Sequence, residues 1–445
     1  MTTRREFIQT LGATGAALAG LSACSGGGHG GGGGSAQPPI SVPAAPILVI
    51  VNVDGGWDWL NVMPPNAGAN LPVYQAKRAT LGIDPTTLVD LGSGIGLNPD
   101  FSGMDVLNAL GRVAWIPGIG MPNPNLSHFT AGDLWGQGAA VPAGNGWLGR
   151  FADTAFSPTG DVLRGLTVTS DLAMMLRGAN RSFVSIPNAG GYIYPAYLFS
   201  GATPDATLLD TAWGTSLSAS STDPGYIAAA QAGKLFYDAQ ASPVFGTTGT
   251  IAARTPTVPY PGDAAYPIKR ADNGGNLTGS LSSQFKLIAQ MIAAGLPGQV
   301  YFSRLGGWDT HSNQAIDHPN LQRALGGSIK AFYDDLKSIT TTSGNAQDRV
   351  MIITYSEFGR RVQQNAGGTD HGTMGLSFAV GNAVKGGLYG AYPDLTSLDP
   401  NGNMKYSSAA DFRGFYATVL ERWLGLAATT TNTLLGSAYT RMNFL

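Results

Sequence analysis

From residue 46 onward the chain alternates between short, nearly continuous apolar runs and longer stretches with apolar residues at helical spacing. Residues 46–53, Pro-Ile-Leu-Val-Ile-Val-Asn-Val, are β-branched and almost unbroken, as a strand buried on both faces requires, and predict a central parallel strand. Residues 113–116, 166–169, 299–303, 350–355 and 376–380 predict further strands on the same grounds. Residues 282–294 place Phe285, Ile288, Ala289 and Ile292 on one helical face, ended by Gly295 and Pro297. A helix over 321–339 carries Leu321, Ala324, Leu325, Phe332, Tyr333 and Leu336; His318, ahead of Pro319, reads as structural. Ser127 opens a helix over 128–137, and Asp411 caps one that turns Phe412, Phe415, Tyr416, Val419, Trp423 and Leu424 inward. Strands alternating with helices predict an α/β fold with a mostly parallel central sheet flanked by helices. The pattern breaks over about 140–275, a Gly-, Pro-, Ser- and Thr-rich region with one helix at 225–239, which predicts irregular insertions and a cap over the sheet edge.

The first 45 residues do not join this pattern. Arg4-Arg5 before a Gly/Ala-rich apolar stretch resembles a twin-arginine export signal, and the stretch is too short and glycine-rich for a good membrane span. Leu21-Ser22-Ala23-Cys24 resembles a lipoprotein cleavage box, and Cys24 is the chain's single cysteine. A thiol used nowhere else, where a lipid attaches, is a poor candidate for catalysis or a disulfide. The division expected is a signal peptide at 1–24, a Gly/Pro-rich linker at 25–45 containing His29, and one domain at 46–445. The protein is then exported to the periplasm or cell surface, touching membrane only through the lipid anchor.

Removal of residues 1–24 leaves 24 basic against 27 acidic residues, a balance that points away from nucleic acid. Only 12% of residues are charged, so acids and histidines at the ends of apolar runs stand out. Three of the five histidines lie in polar clusters: Ser127-His128, Asp309-Thr310-His311 and Asp370-His371. A fourth cluster runs from Tyr355 through Glu357 to Arg360. Imidazole with carboxylate suits a transition metal, or a general acid and base near neutral pH. In open parallel sheets, ligands bind beyond the carboxyl ends of strands, where Asp54, Asp58, Asp309, His311 and Glu357 fall. Asp309 and His311 are two apart and point to one side of an extended segment. Adjacent Asp370 and His371 share a direction only in a loop; otherwise His371 ligates and Asp370 orients another group. Glu357 reads as ligand, general base or partner of Arg360. Ser127 reads as a nucleophile at a helix N-terminus or as a plain N-cap, and His128 as a base, a ligand or a packing residue.

These motifs resemble an exported bacterial family, domain of unknown function 1501. The matching stretches are Gly55 to Asn61, Ser127-His128-Phe129 with Asp133 and Trp135, and Asp309 to Ser312. Ser356 to Arg360, Gly368 to Gly372 and the helix from Asp411 to Gly425 match as well. The resemblance implies a fold similar to the alkaline phosphatase and sulfatase superfamily. There an acid after the first strand, a nucleophile at a helix start, and later Asp and His residues hold one or two metals. Carried onto this chain, it implies Ser127 and His128 as catalytic residues, and Asp58, Asp309, His311, Glu357, Asp370 and His371 around a divalent metal (Zn, Mn, Mg or Ca). Asn61 and Arg360 are assigned to substrate. Asp54 matches the superfamily's strand-end position and Asp58 the family's own motif; Asp58 is the expected ligand. The chain departs from the superfamily in offering Glu357 where Asp-His is usual, and in the close spacing of Asp309 and His311. The function expected is a metal-dependent hydrolase or transferase acting on a phosphate or sulfate ester of a small molecule or glycan. The alternative is a non-catalytic surface lipoprotein that binds glycan, metal or protein on the same scaffold.

Overall fold

The computed structural model describes residues 45–156, 162–181, 183–189, 250–265 and 280–445. The leader, Cys24, the linker and the helix expected at 225–239 lie outside these residues. Among the described residues fourteen strands follow one another: β1 (Ile47–Val53), β2 (Val89–Gly92), β3 (Ile95–Leu97), β4 (Val113–Ile119), β5 (Gly165–Thr167), β6 (Val184–Ser185) and β7 (Val300–Leu305). Then come β8 (Thr340–Thr341), β9 (Gly344–Asn345), β10 (Val350–Tyr355), β11 (Gly359–Gln364), β12 (Thr369–Gly372), β13 (Gly375–Val380) and β14 (Gly387–Leu388). Eight of them form one sheet in the order β14-β4-β13-β10-β1-β7-β5-β6. All run parallel except β13, which pairs antiparallel with both β10 and β4. The sheet is therefore mostly parallel, as the apolar runs predict. The strand expected at 166–169 appears as β5, and with β6 it gives the region read as insertions and a cap the last two strands on one edge of the sheet.

β1 sits at the centre and is buried on both faces. Val49, Val51 and Val53 join one core with the helices Met104–Ala109, Ser280–Ala293 and Gln314–Leu336. Leu48 and Ile50 join a second core with Trp135, Trp147, Phe412, Phe415 and Trp423 from helices on the opposite face. Each aliphatic side chain so enclosed contributes about 1.5–3 kcal/mol relative to exposure, which fixes the three-layer order of helices, sheet and helices. The helix expected at 321–339 begins at Gln314 and runs through Pro319. Pro319 removes one bond, to Ala315, in a turn already tied by the Gln314 amide to Gly367 O at 3.1 Å and the Asp317 amide to Asn313 O at 3.0 Å. Asp411 caps its helix as expected, accepting from the Arg413 amide at 2.9 Å. Among the described residues, no helix is long and apolar enough to cross a membrane.

Candidate metal centre

The carboxyl ends of β1, β7 and β10 and the start of the helix His128–Gln137 meet at one edge of the sheet. There β11 and β12 form a hairpin, pairing Arg360 with His371. Two glycines allow the segments to close. A Cβ on Gly55 (φ 126°) would lie 2.5 Å from the Asp309 amide nitrogen, and one on Gly368 would lie 2.0 Å from Thr310 O. With only hydrogen there, the loop after β1 and the hairpin both press against Asp309-Thr310-His311.

Asp309 is the hub. His311 Nε2 lies 3.1 Å from its Oδ1, His371 Nε2 lies 3.2 Å from the same oxygen, and His128 Nε2 lies 3.4 Å from Oδ2. Each imidazole is turned by an acceptor on its far side. His128 Nδ1 donates to Glu357 Oε1 at 2.6 Å, His311 Nδ1 to Asp370 Oδ1 at 3.2 Å, and His371 Nδ1 to the Leu126 carbonyl at 2.9 Å. A carbonyl or carboxylate can only accept, so each Nδ1 carries a proton that points outward, and the three Nε2 atoms point inward to the Asp309 carboxylate. His311 Nε2 and His371 Nε2 then face each other at 2.9 Å. His128 Nε2 is buried with no hydrogen-bond partner.

The outer groups are themselves held. Glu357 is buried; its Oε1 also accepts from the Gly55 amide at 2.9 Å, and its Oε2 from Ser356 Oγ at 3.2 Å. Arg360 is fully buried, donating to the carbonyls of Gly55, Gly56, Trp308 and Thr369 and to Asp309 Oδ1. Phe358 packs beneath the histidines, 4.8 Å from the His128 ring and 4.6 Å from that of His371. Burial pushes the Asp309 carboxyl up, but Arg360, with help from His371, holds it down at about 2. The hydrogen bond to Glu357 raises His128 against burial, whereas burial lowers His371. Asp370 is lowered, chiefly by its hydrogen bond from Asn365.

Two expected members lie elsewhere. Asp58 is fully buried and takes both Arg78 Nη groups, with Gln314 Nε2 on its Oδ2; no face is left for an ion. Its position after β1 serves as an internal anchor, which corrects the expected ligand. Asn61 is buried with it, accepting from Tyr74 Oη at 2.8 Å and donating to Leu81 O at 2.7 Å, which takes it away from any substrate. Arg360 is committed to the protein on all its nitrogens, so its substrate assignment is also corrected: it positions Asp309. The Glu357–Arg360 ion pair left open above does not form, because Glu357 turns to His128. Asp54, at the end of β1, is the acid that feels Glu357 and His128, and burial, then the Glu357 charge, raises its pKa. Ser127 is exposed at the N-cap position and its side chain makes no capping bond, so the plain-cap reading does not hold.

A family model described as protein of unknown function (DUF1501) matches residues 280–435, the stretch carrying Asp309, His311, Glu357, Asp370 and His371, and supports placing the chain in that family. A comparison with curated proteins finds no match to the chain.

Proposed function

We propose that His128, His311, His371 and Asp309 hold one divalent metal, and that the chain is a metal-dependent hydrolase or transferase of phosphate or sulfate esters. The observation that carries the metal is the pair of imidazole nitrogens facing each other at 2.9 Å with their outer protons already committed. Two imidazole nitrogens at that distance need a cation between them, either a metal ion or one shared proton, and elemental analysis tells the two apart. The spacing around Asp309 fits as well: ligand bonds near 2.0–2.1 Å give tetrahedral edges of about 3.3 Å, against 3.1–3.4 Å from its carboxylate to the three imidazoles. Among the described residues, His128, Asp309 and His371 offer ligand atoms that all lie within 4.8 Å of one another, and His311 joins them through Asp309 and His371. Three imidazoles and one carboxylate favour Zn over the oxygen-preferring Mg and Ca.

When bound, the metal supplies Lewis acidity to an ester oxygen and a nearby hydroxyl. Ser127 offers that hydroxyl, exposed beside His128 at the helix end whose free amides and dipole suit an anion. Glu357 orients His128, and Arg360 keeps Asp309 ionised. An acid after the first strand (Asp54), a serine at a helix start and later Asp and His residues follow the order implied by an alkaline phosphatase/sulfatase-like scaffold, which we adopt as the finer fold reading. Export, with a lipid on Cys24, remains part of this reading and is checked by mass spectrometry of the membrane fraction. The test of function is elemental analysis of the purified protein, then a panel of phosphate and sulfate esters with wild type and Ser127→Ala. One metal per chain, with turnover lost and metal kept in Ser127→Ala, is expected. A metal-loaded wild type inert toward every ester moves the chain to the non-catalytic binding reading.

A further inference from the structure

Gln314 lies at the meeting point of two networks that the metal reading leaves separate. It is the first residue of the helix Gln314–Leu336 and is 1% exposed. Its Nε2 donates to Asp58 Oδ2, and its Oε1 accepts from Thr369 Oγ1 at 2.6 Å and Thr310 Oγ1 at 3.2 Å. Its backbone amide donates to Gly367 O at 3.1 Å, and the Thr369 amide donates to Thr310 O at 3.2 Å. Thr310 sits between Asp309 and His311, and Thr369 directly precedes Asp370 and His371. One buried amide therefore clamps the two segments that present three of the four inward-facing groups. Its orientation is not free. Asp58, ionised and paired with Arg78, can only accept, so Gln314 must turn Nε2 toward it and Oε1 toward the two threonines.

We propose that Gln314 is a positioning residue for the metal centre. It fixes the register of the 309–311 loop against the 369–371 strand, with the Asp58–Arg78 pair as the fixed point that sets its direction. The buried motif acid Asp58 thereby acts on the site through Gln314 without touching it. Small angular errors matter here, because removing groups that orient metal ligands typically weakens affinity about 10–100-fold. The affinity arm of the test rests on the metal reading; the exchange arm does not.

The test compares wild type, Gln314→Leu, Thr369→Val and Thr369→Ser. Zinc affinity is read by chelator competition, and amide hydrogen exchange is followed over 309–313 and 367–371 in metal-free protein. Gln314→Leu and Thr369→Val are expected to weaken zinc binding by at least tenfold and to speed exchange in those two segments, with β1 and β10 unchanged. Thr369→Ser, which keeps the hydroxyl, restores both. Unchanged exchange in the two segments in Gln314→Leu overturns the proposal, as does restoration by valine equal to that by serine. If wild type holds no zinc but Gln314→Leu still loosens both segments, the metal reading fails and the clamp stands. If Gln314→Leu does not fold, the two Thr369 variants decide.

Discussion

Replacing Asp58 with asparagine separates an anchor from a ligand. The substitution keeps the volume but leaves the Arg78 guanidinium, 1% exposed, without a counter-charge. Arg78 cannot swing out, because Nε also donates to Val362 O at 2.6 Å and Nη2 to Arg361 O at 2.9 Å. Removing one partner of a buried pair costs about 3–5 kcal/mol. With an unfolding entropy of about 2.1 cal/mol/K per residue over roughly 400 residues, that is a fall in Tm of about 4–6 °C. Asp58→Asn with Arg78→Met should cost less than the sum of the two, since the double variant buries no lone charge. The pH dependence has a definite sign. Burial pushes Asp58 up, but the charge and hydrogen bonds of Arg78, with Gln314, leave its pKa below the ordinary value. A depressed folded pKa contributes stability that is fully present above the unfolded value near 3.9 and is lost as pH falls through the folded one. The gap between wild type and Asp58→Asn is thus flat from about pH 5 to 8 and shrinks below about pH 4. Thermal and urea unfolding measure the gap, and metal content at saturating zinc is measured alongside. An Asp58→Asn protein with wild-type Tm and no metal would refute the reasoning and return Asp58 to the ligand set.

Three further outcomes follow from the geometry. His311→Ala and His371→Ala should lose stoichiometric metal, whereas Asp370→Asn and Glu357→Gln, which trade a charged outer acceptor for a weaker neutral one, should weaken it about 10–100-fold by elemental analysis and competition. Only neutral His128 can ligate, and Glu357 raises its pKa above 6.5; on acidification, metal affinity should therefore begin to fall while the pH is still above 6.5, by about tenfold per pH unit below the folded pKa, and Glu357→Gln should move that onset lower. Gly368→Ala should drop both Tm and metal content by driving the hairpin off Thr310 O, while Gly132→Ala, a helical site with nothing within 4 Å of the new methyl, leaves metal content unchanged.

The sequence is most legible where one physical demand dominates. β1 and β10 match the expected runs to within a residue, because a strand covered on both faces must be continuously apolar. The direction of β13 was not legible, since an apolar run carries no polarity of its own. The hairpin of β11 and β12 was not legible: Gly-Arg-Arg-Val-Gln-Gln and Thr-Asp-His-Gly carry no apolar run, and contacts of Arg360 fifty or more residues away in the chain hold it. Asp309, His311 and His371 were legible as a set because histidine is scarce and each lies near an acid. Asp58 was misread because a post-strand acid looks the same whether it meets an ion or an arginine twenty residues on. The short helix Asn70–Lys77, directly followed by Arg78, gave no sign that the arginine turns inward. His128 belonged with the other two histidines on one cue that went unused: each needs an outward acceptor, and Glu357 is a free carboxylate once Arg360 is otherwise engaged.

The long separation between the groups of the centre bears on how the protein folds. Gly55 and Glu357 are 302 positions apart, and His128 and Glu357 are 229 apart. Such contacts close late, after the loop entropy between them has been overcome, and topologies dominated by them fold slowly. A partly folded chain can present Asp370-His371 on its hairpin with Glu357 just ahead of it, but not His128, 229 positions from Glu357, beside them. A metal held as proposed would therefore not seed this fold as it does in a small zinc module. It would act last, as a latch that recognises only the completed chain, and would add about 4 kcal/mol of stability at a free concentration a thousand times its Kd.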